Sequence, residues 1–360
     1  MKIAEIAPLY ESCPPRFYGG TERVVSYLTE ELVRQGHEVT LFASGDSNTR
    51  AILEPGCVSA LRMAGCKDPL VYHLAMLHRV RLRAADFDIL HFHTDYLHFP
   101  LFAEIAEKTL TTLHGRLDLP DLPLMMRQFD TMPLVSISDA QRLPMAWANW
   151  YGTVHHGLPE QLHLFGRGGS GYLAFLGRIS PEKRADRAIE IARRAGRPLH
   201  IAAKVDPVDE TYFERTIKPL LDDPLVRFIG EIGDRDKSEF LGEAAALLFP
   251  IDWPEPFGLV LIEAMATGTP VIGFGAGSVP EIIEPGRTGF IVDDIEGAAA
   301  AVPEALRLDR AVIRRCFEER FTAARMARDY VAAFEQLLDR DRSTGILESD
   351  TLRPIAEAAD

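Results

Sequence analysis

Twice along this chain a short apolar run gives way to a glycine-bearing loop and then to a helical pattern. The first copy is Lys2 to Ala7, a loop holding Pro14, Pro15 and Gly19-Gly20, and a helix from Thr21 to Gln35. The second is Tyr172 to Leu176, the loop Gly177 to Lys183, and a helix from Arg184 to Ala195. Strand, glycine turn and helix make the unit from which parallel sheets are wound, because parallel neighbours need a crossover between them. Thr21 is placed to cap the first helix. Val24, Val25, Leu28 and Leu32 recur at helical spacing, and Gly36 stands where a left-handed terminator belongs. Further buried strands are expected at His37 to Ala43, Phe87 to Phe92, Lys108 to Leu113 and Pro133 to Ile137 in the first half. The second half adds Leu199 to Ala203, Val226 to Ile229, Ala246 to Pro250, Pro270 to Phe274 and Gly289 to Val292. The fold class is therefore α/β, with two doubly wound, Rossmann-like units in tandem.

A length of 360 residues gives each unit room for its own core. The boundary falls between His156 and Gly171, which divides the chain into an N-terminal domain, 1–157, and a C-terminal domain, 158–322. An amphipathic helix at about 323–340 has no strand after it and is expected to pack back on the first domain. Residues 341–360 read as a tail. The 39 Lys and Arg against 53 Asp and Glu leave a net charge of -14, which argues against a general nucleic-acid binder. An anionic ligand then needs a local basic site. The first ten residues lack the basic start and apolar core of a signal peptide, and no apolar run approaches the roughly 18 to 20 residues that cross a bilayer. Cys13, Cys57, Cys66 and Cys316 form no C-x-x-C pair and read as small buried hydrophobes. A cytoplasmic location is expected.

Two doubly wound sheets place ligands beyond the carboxyl ends of their strands, so loops that follow strands hold the candidate residues. The segment from Phe249 to Gly268 is the most informative. Pro254 and Pro256 hold Glu255 in an extended loop, since each restricts the residue before it. Glu263 sits among Leu259 to Ile262 and Ala264 to Ala266, where an unpaired carboxylate costs several kcal/mol. A pair of sugar hydroxyls would satisfy it. The helix start near Gly258 offers free N–H groups to a diphosphate. The blander reading makes Glu255 a solvated loop residue and Glu263 the partner of a core Arg or a backbone N–H. In Gly177 to Lys183, Arg178 can fork onto phosphate oxygens and Lys183 adds a compact charge. Taken alone, both also read as ordinary surface charges.

The order and spacing of several segments resemble the retaining glycosyltransferases of family 4, the glycosyl transferases group 1. They are Y-G-G-T-E-R-V-V, T-L-H-G, S-I-S-D, G-R-I-S-P-E-K, E-P-F-G-L-V-L-I-E-A-M-A-T-G-T-P-V-I, G-S-V-P-E-I-I and G-R-T-G-F-I-V. The similarity covers nearly the whole chain. It implies the GT-B fold, two Rossmann-like domains facing across a cleft, and a hexosyltransferase that takes its sugar from a nucleotide-diphosphate donor, a UDP-sugar, and passes it to an unidentified acceptor. By the same resemblance, Arg178 and Lys183 hold the diphosphate and Glu263 the ribose hydroxyls. Glu255 faces the donor sugar, beside the backbone of Phe257, Gly258 and Leu259. Gly20 lets the first-domain loop approach, His114 lies near the reacting sugar, and the segment ending at Gly230 runs close to the base. Arg184 stands where many relatives have glycine, and Ala203-Lys-Val replaces a glycine-rich turn. No cofactor or metal is implied, since the basic residues and the helix start meet the departing charge.

His91-Phe-His93 places two imidazoles on one strand face, with Asp95 or His98 as a third polar group. The simpler reading is polar cleft wall, and no metal ligand is assigned. Arg79, Arg81 and Arg83 after the apolar stretch Leu70 to Leu77 suit a weak peripheral contact with anionic lipid, and a solvated helix face is the plainer reading. The first glycine loop lacks G-x-G-x-x-G, which argues against a dinucleotide dehydrogenase. Two rivals share the two-domain shape: a nucleotide-sugar epimerase and a non-catalytic sugar-nucleotide sensor. Product analysis separates them.

Overall fold

Lys2–Ile6 (β1) has Ile3, Ala4, Glu5 and Ile6 wholly buried, so it can lie only inside a sheet covered on both faces. The computed structural model, which describes residues 1–16, 19–169 and 171–350, places it there. The first sheet adds Glu38–Ser44 (β2), Ile52–Cys57 (β3), Ile89–Phe92 (β4), Thr109–Thr112 (β5), Leu134–Ser136 (β6) and Trp150–Thr153 (β7). Its order is β3-β2-β1-β4-β5-β6-β7, all parallel. The second sheet holds Leu173–Ile179 (β8), Leu199–Val205 (β9), Val226–Gly230 (β10), Ala246–Phe249 (β11), Val271–Phe274 (β12) and Gly289–Val292 (β13). Its order, β10-β9-β8-β11-β12-β13, is again parallel throughout. In both sheets the winding reverses at the first strand, which opens the crevice expected at a topological switch point.

Two strands of the first sheet, β3 and β7, escape the sequence reading. Both are edges and only half buried, and β3 carries Pro55 and Gly56, which weaken a strand signal but suit an edge. The helix Gly20–Arg34 (α1) begins one residue before the expected start. Gly19, not Thr21, occupies the cap position, where a Cβ would press on Pro15 and Glu11, and no side chain caps the helix. Val24, Val25, Leu28 and Leu32 are buried as their spacing predicts, each contributing about 1.5–3 kcal/mol.

The other helices used below are Pro69–Leu82 (α2), Ala185–Ala195 (α3), Asp234–Gly242 (α4), Leu259–Ala266 (α5) and Ala323–Asp350 (α6). α6 leaves the second domain and lies against α1. It continues past Arg340, where the sequence suggests a tail, and residues 351–360 of that tail lie outside the described residues. No helix among the described residues is long and apolar enough to cross a membrane. The four cysteines are unpaired; Cys13 and Cys316 are buried, whereas Cys57 and Cys66 are half-buried. At the end of α2, Arg79 and Arg81 donate to the carbonyls of Pro55 and Leu101, and Arg83 pairs with Glu54 and Asp86.

Candidate active site

The crevice between the two domains is a cavity of about 660 Å³. Its floor on the second-domain side comes from the turn after β8. Arg178 near the strand end lies 2.5 Å from Glu182, 3.3 Å from Asp209 and 3.8 Å from Asp206. Lys183 pairs with Glu255 and stands 4.9 Å from the centre of the Trp253 ring, a cation–π distance. The next residue, Arg184, has φ 56, the left-handed region that glycine favours. Ion pairs at 2.8 Å to Asp186 and 2.7 Å to Asp252 hold it there. The departure from glycine noted in the sequence thus keeps a glycine-like backbone.

Glu255 is buried, 8% exposed, and not the solvated loop residue of the blander reading. Trp253 Nε1 donates to it at 3.0 Å. Its loop is held from behind. Ser278 donates its N–H to the Glu255 carbonyl at 3.0 Å and its hydroxyl to that of Phe257 at 2.7 Å. Ser138, from the first domain, donates to the Pro256 carbonyl at 2.6 Å. Gly277 has φ 58, and a Cβ there would overlap the Glu255 backbone. α5 then starts behind Gly258, φ 80, with no side chain capping it. Four residues into α5, Glu263 is buried and accepts from Lys237 Nζ on α4 at 2.8 Å. Burial raises its pKa, but Lys237 and His163 outweigh that and hold the carboxyl below its ordinary value.

The facing wall belongs to the first domain. A Cβ on Gly20 would lie 3.8 Å from Leu259, so this loop nearly touches the start of α5. Arg23 on α1 pairs with Asp234 on α4 and ties the domains across the gap. His114, just past β5, lines the cavity with His93 and His156. Its Nε2 lies 2.8 Å from His93 Nδ1, and its ring stacks on His156 at 5.3 Å. Burial pushes the pKa values of His93 and His156 down to about 3 and that of His114 well below its ordinary value. Glu5, His91 and His93 form one buried group with ligand-type atoms within 4.8 Å of one another.

Arg178, Lys183, Glu255 and Glu263 therefore share one cavity with Gly20, His114 and the Phe257 to Leu259 backbone. Gly230 does not line it. It ends β10 at φ 87 after a register shift, and Glu231, Ile232 and Gly233 form the wall instead. Sequence reasoning missed Arg23, Lys237, His156 and Trp253. Trp253 carries a signal, since it stands inside the proline-bracketed loop; the others carry none that spacing reveals.

The profile for glycosyl transferases group 1 matches residues 165–316, and that for glycosyltransferase family 4 matches residues 18–178. A D-inositol 3-phosphate glycosyltransferase of Streptomyces avermitilis is 35% identical over 130 residues, 33% of this chain and 28% of that protein. The match to its counterpart in Streptomyces scabiei spans 17% of that protein, so the stretches shared with these relatives are under a third of their length. A phosphatidyl-myo-inositol mannosyltransferase of Propionibacterium freudenreichii is 25% identical over 340 residues, covering 83% of this chain and 87% of its own. Among solved structures, AviGT4, a glycosyltransferase involved in avilamycin A biosynthesis, superposes with TM-score 0.73 at 23% identity, covering 94% of this chain and 98% of that one. Anabaena HepE in complex with UDP-glucose does so with TM-score 0.67 at 16% identity, covering 95% and 100%. These two likenesses are of fold. Two matched profiles that run almost end to end, on the fold such proteins share, show that the chain belongs to glycosyltransferase family 4, the glycosyl transferases group 1.

Proposed function

We propose that the chain is a retaining, metal-independent glycosyltransferase that moves a hexose from a UDP-sugar to a hydroxyl acceptor. The observation that carries this reading is the meeting of Arg178, Lys183 and the uncapped start of α5 in one inter-domain cavity. Carboxylates now neutralise both cations, Glu182 and Asp209 at Arg178 and Glu255 at Lys183. A diphosphate exchanges one anion for another there, so neither cation is ever buried uncompensated. Lys237 bonds one oxygen of Glu263, and the other accepts ribose hydroxyls. In the reaction the bond from the sugar C1 to the diphosphate oxygen breaks, and its electron pair goes to the diphosphate. Arg178, Lys183 and the α5 N–H groups stabilise that charge as it develops. The acceptor oxygen bonds C1 on the same face and passes its proton to the leaving phosphate. Glu255, freed from Lys183, positions and electrostatically supports the sugar.

HepE, by name a UDP and UDP-glucose complex, supports the choice of donor. The inositol phosphate and phosphatidyl-myo-inositol relatives make inositol-bearing compounds the first acceptors to try. Four unpaired cysteines support a cytoplasmic location. The test is a thermal-shift panel of UDP-, GDP- and ADP-sugars. A UDP-sugar at ~100 times its Kd adds about 2.7 kcal/mol of stability. Absence of a shift with every nucleotide sugar would sink the proposal, and anomeric NMR of the product would show retention or inversion.

A further inference from the structure

His114 ends a line of polar groups that begins deep inside the first domain. Glu5 on β1 sits opposite His91 on the adjacent β4, and His93, two residues along, faces the same way. The two oxygens of the wholly buried Glu5 each meet one ring. Oε1 lies 3.0 Å from His91 Nδ1, and Oε2 lies 2.8 Å from His93 Nε2. His91 Nε2 is 2.8 Å from the Thr112 hydroxyl, and His93 Nδ1 is 2.8 Å from His114 Nε2. His114 Nδ1 has no hydrogen-bond partner among the described residues.

Protons can be counted along this line. Burial holds His91 and His93 neutral, at about 3, so each ring carries a single N–H. Burial also raises the Glu5 carboxyl, opposed by the bond from His93. Thr112 donates its hydroxyl to Tyr330 at 3.0 Å, so His91 donates Nε2–H to Thr112 and its Nδ1 is bare. The Glu5 carboxyl keeps its proton on Oε1, facing that nitrogen, and accepts on Oε2 from His93 Nε2–H. His93 Nδ1 is then bare and must accept from His114 Nε2–H. The remaining nitrogen of a neutral His114 is a lone pair.

We propose that Glu5 and His93 are positioning residues that fix His114 as its Nε2–H tautomer, so that its bare Nδ1 accepts a hydrogen bond from a hydroxyl of the donor sugar. Stacking on His156 holds the ring plane. A free neutral imidazole exchanges between tautomers and offers an acceptor only part of the time; a buried carboxyl group two bonds away, itself held by His91, removes that freedom. The hydroxyl contact rests on the donor site proposed above, whereas the tautomer does not.

The test is two-bond 1H–15N spectroscopy of the ligand-free protein labelled at histidine, at pH 7, with His114 assigned by its loss in His114→Asn. The expected pattern is a protonated Nε2 and a bare Nδ1. In His93→Phe, which keeps an aromatic ring against His91, His114 becomes a tautomer mixture. A protonated Nδ1 in the wild type, an unchanged His114 pattern in His93→Phe, or a stoichiometric metal ion found by elemental analysis would overturn the relay, since an ion shared by Glu5, His91 and His93 requires both facing nitrogens bare. If His93→Phe does not fold, the wild-type spectrum decides alone. The nucleotide sugar with the largest thermal shift is then compared with its bare nucleoside diphosphate. The Nδ1 resonance moves with the sugar nucleotide only; equal movement with both removes the hydroxyl contact. A panel without any shift defeats the donor reading and the hydroxyl contact with it, while the tautomer result stands by itself.

Discussion

Lys183 and Glu255 lie 72 positions apart in sequence and meet as a largely buried ion pair at the edge of the cavity. Removing the Glu255 charge leaves Lys183 available to phosphate, so donor binding should survive while support for the reacting sugar is lost. Glu255→Gln is expected to lower kcat by about 10- to 100-fold, on the order of 1.4 to 2.7 kcal/mol of transition-state stabilisation. The donor Kd, measured by calorimetry, should change little. Equal losses in both would mean that Glu255 serves donor binding instead. The need for a partner at Glu263 was legible in the sequence, because a carboxylate inside an apolar helix demands one. That the partner is Lys237, on a different helix, was not, because the contact exists only once α4 and α5 are side by side.

At the scale of elements, the loop from Trp253 to Gly258 owes its path to what stands behind it. Gly277→Ala adds a methyl group against the Glu255 backbone at a left-handed position. It should cost on the order of 3 kcal/mol in denaturant unfolding and remove turnover. Gly286→Ala provides the control: its φ is 76, but nothing lies within 4 Å of the added Cβ. That change should cost about 1 kcal/mol and leave turnover intact. If the two variants behave alike, the packing account of the loop is wrong. The central strands were readable because burial on both faces demands continuous apolar runs. β3 and β7 were not, because an edge strand is half solvated and tolerates Pro and Gly.

The whole molecule stores neutral histidines in its first domain. Burial holds His91, His93 and His156 at about 3 and lowers His98 and His114 as well. Unfolded, each binds a proton near 6.5, so below that pH the unfolded chain is the more protonated state. Stability is therefore complete above about 6.5 and is lost as pH falls toward 3. Glu5, whose pKa burial raises, acts in the opposite sense. Each imidazole contributes a slope of about 1.4 kcal/mol per pH unit, so a few together can exhaust a typical 5–15 kcal/mol. The melting temperature should fall steeply below about pH 6; a flat profile from pH 7 to 4 would contradict the neutral cluster.

The sequence alone determined the two-domain α/β architecture, because strand and helix periods and the glycine turns between them are local properties that repeat. It also pointed to Arg178, Lys183, Glu255 and Glu263, which lie in segments where a charge interrupts a pattern. Only the tertiary structure decided which groups answer each other: Lys183 with Glu255, Lys237 with Glu263, Arg23 with Asp234, and Glu5 through His93 to His114. Each of these pairs joins separate elements, and its strength depends on ångström distances and exclusion of water, which no run of neighbouring residues records.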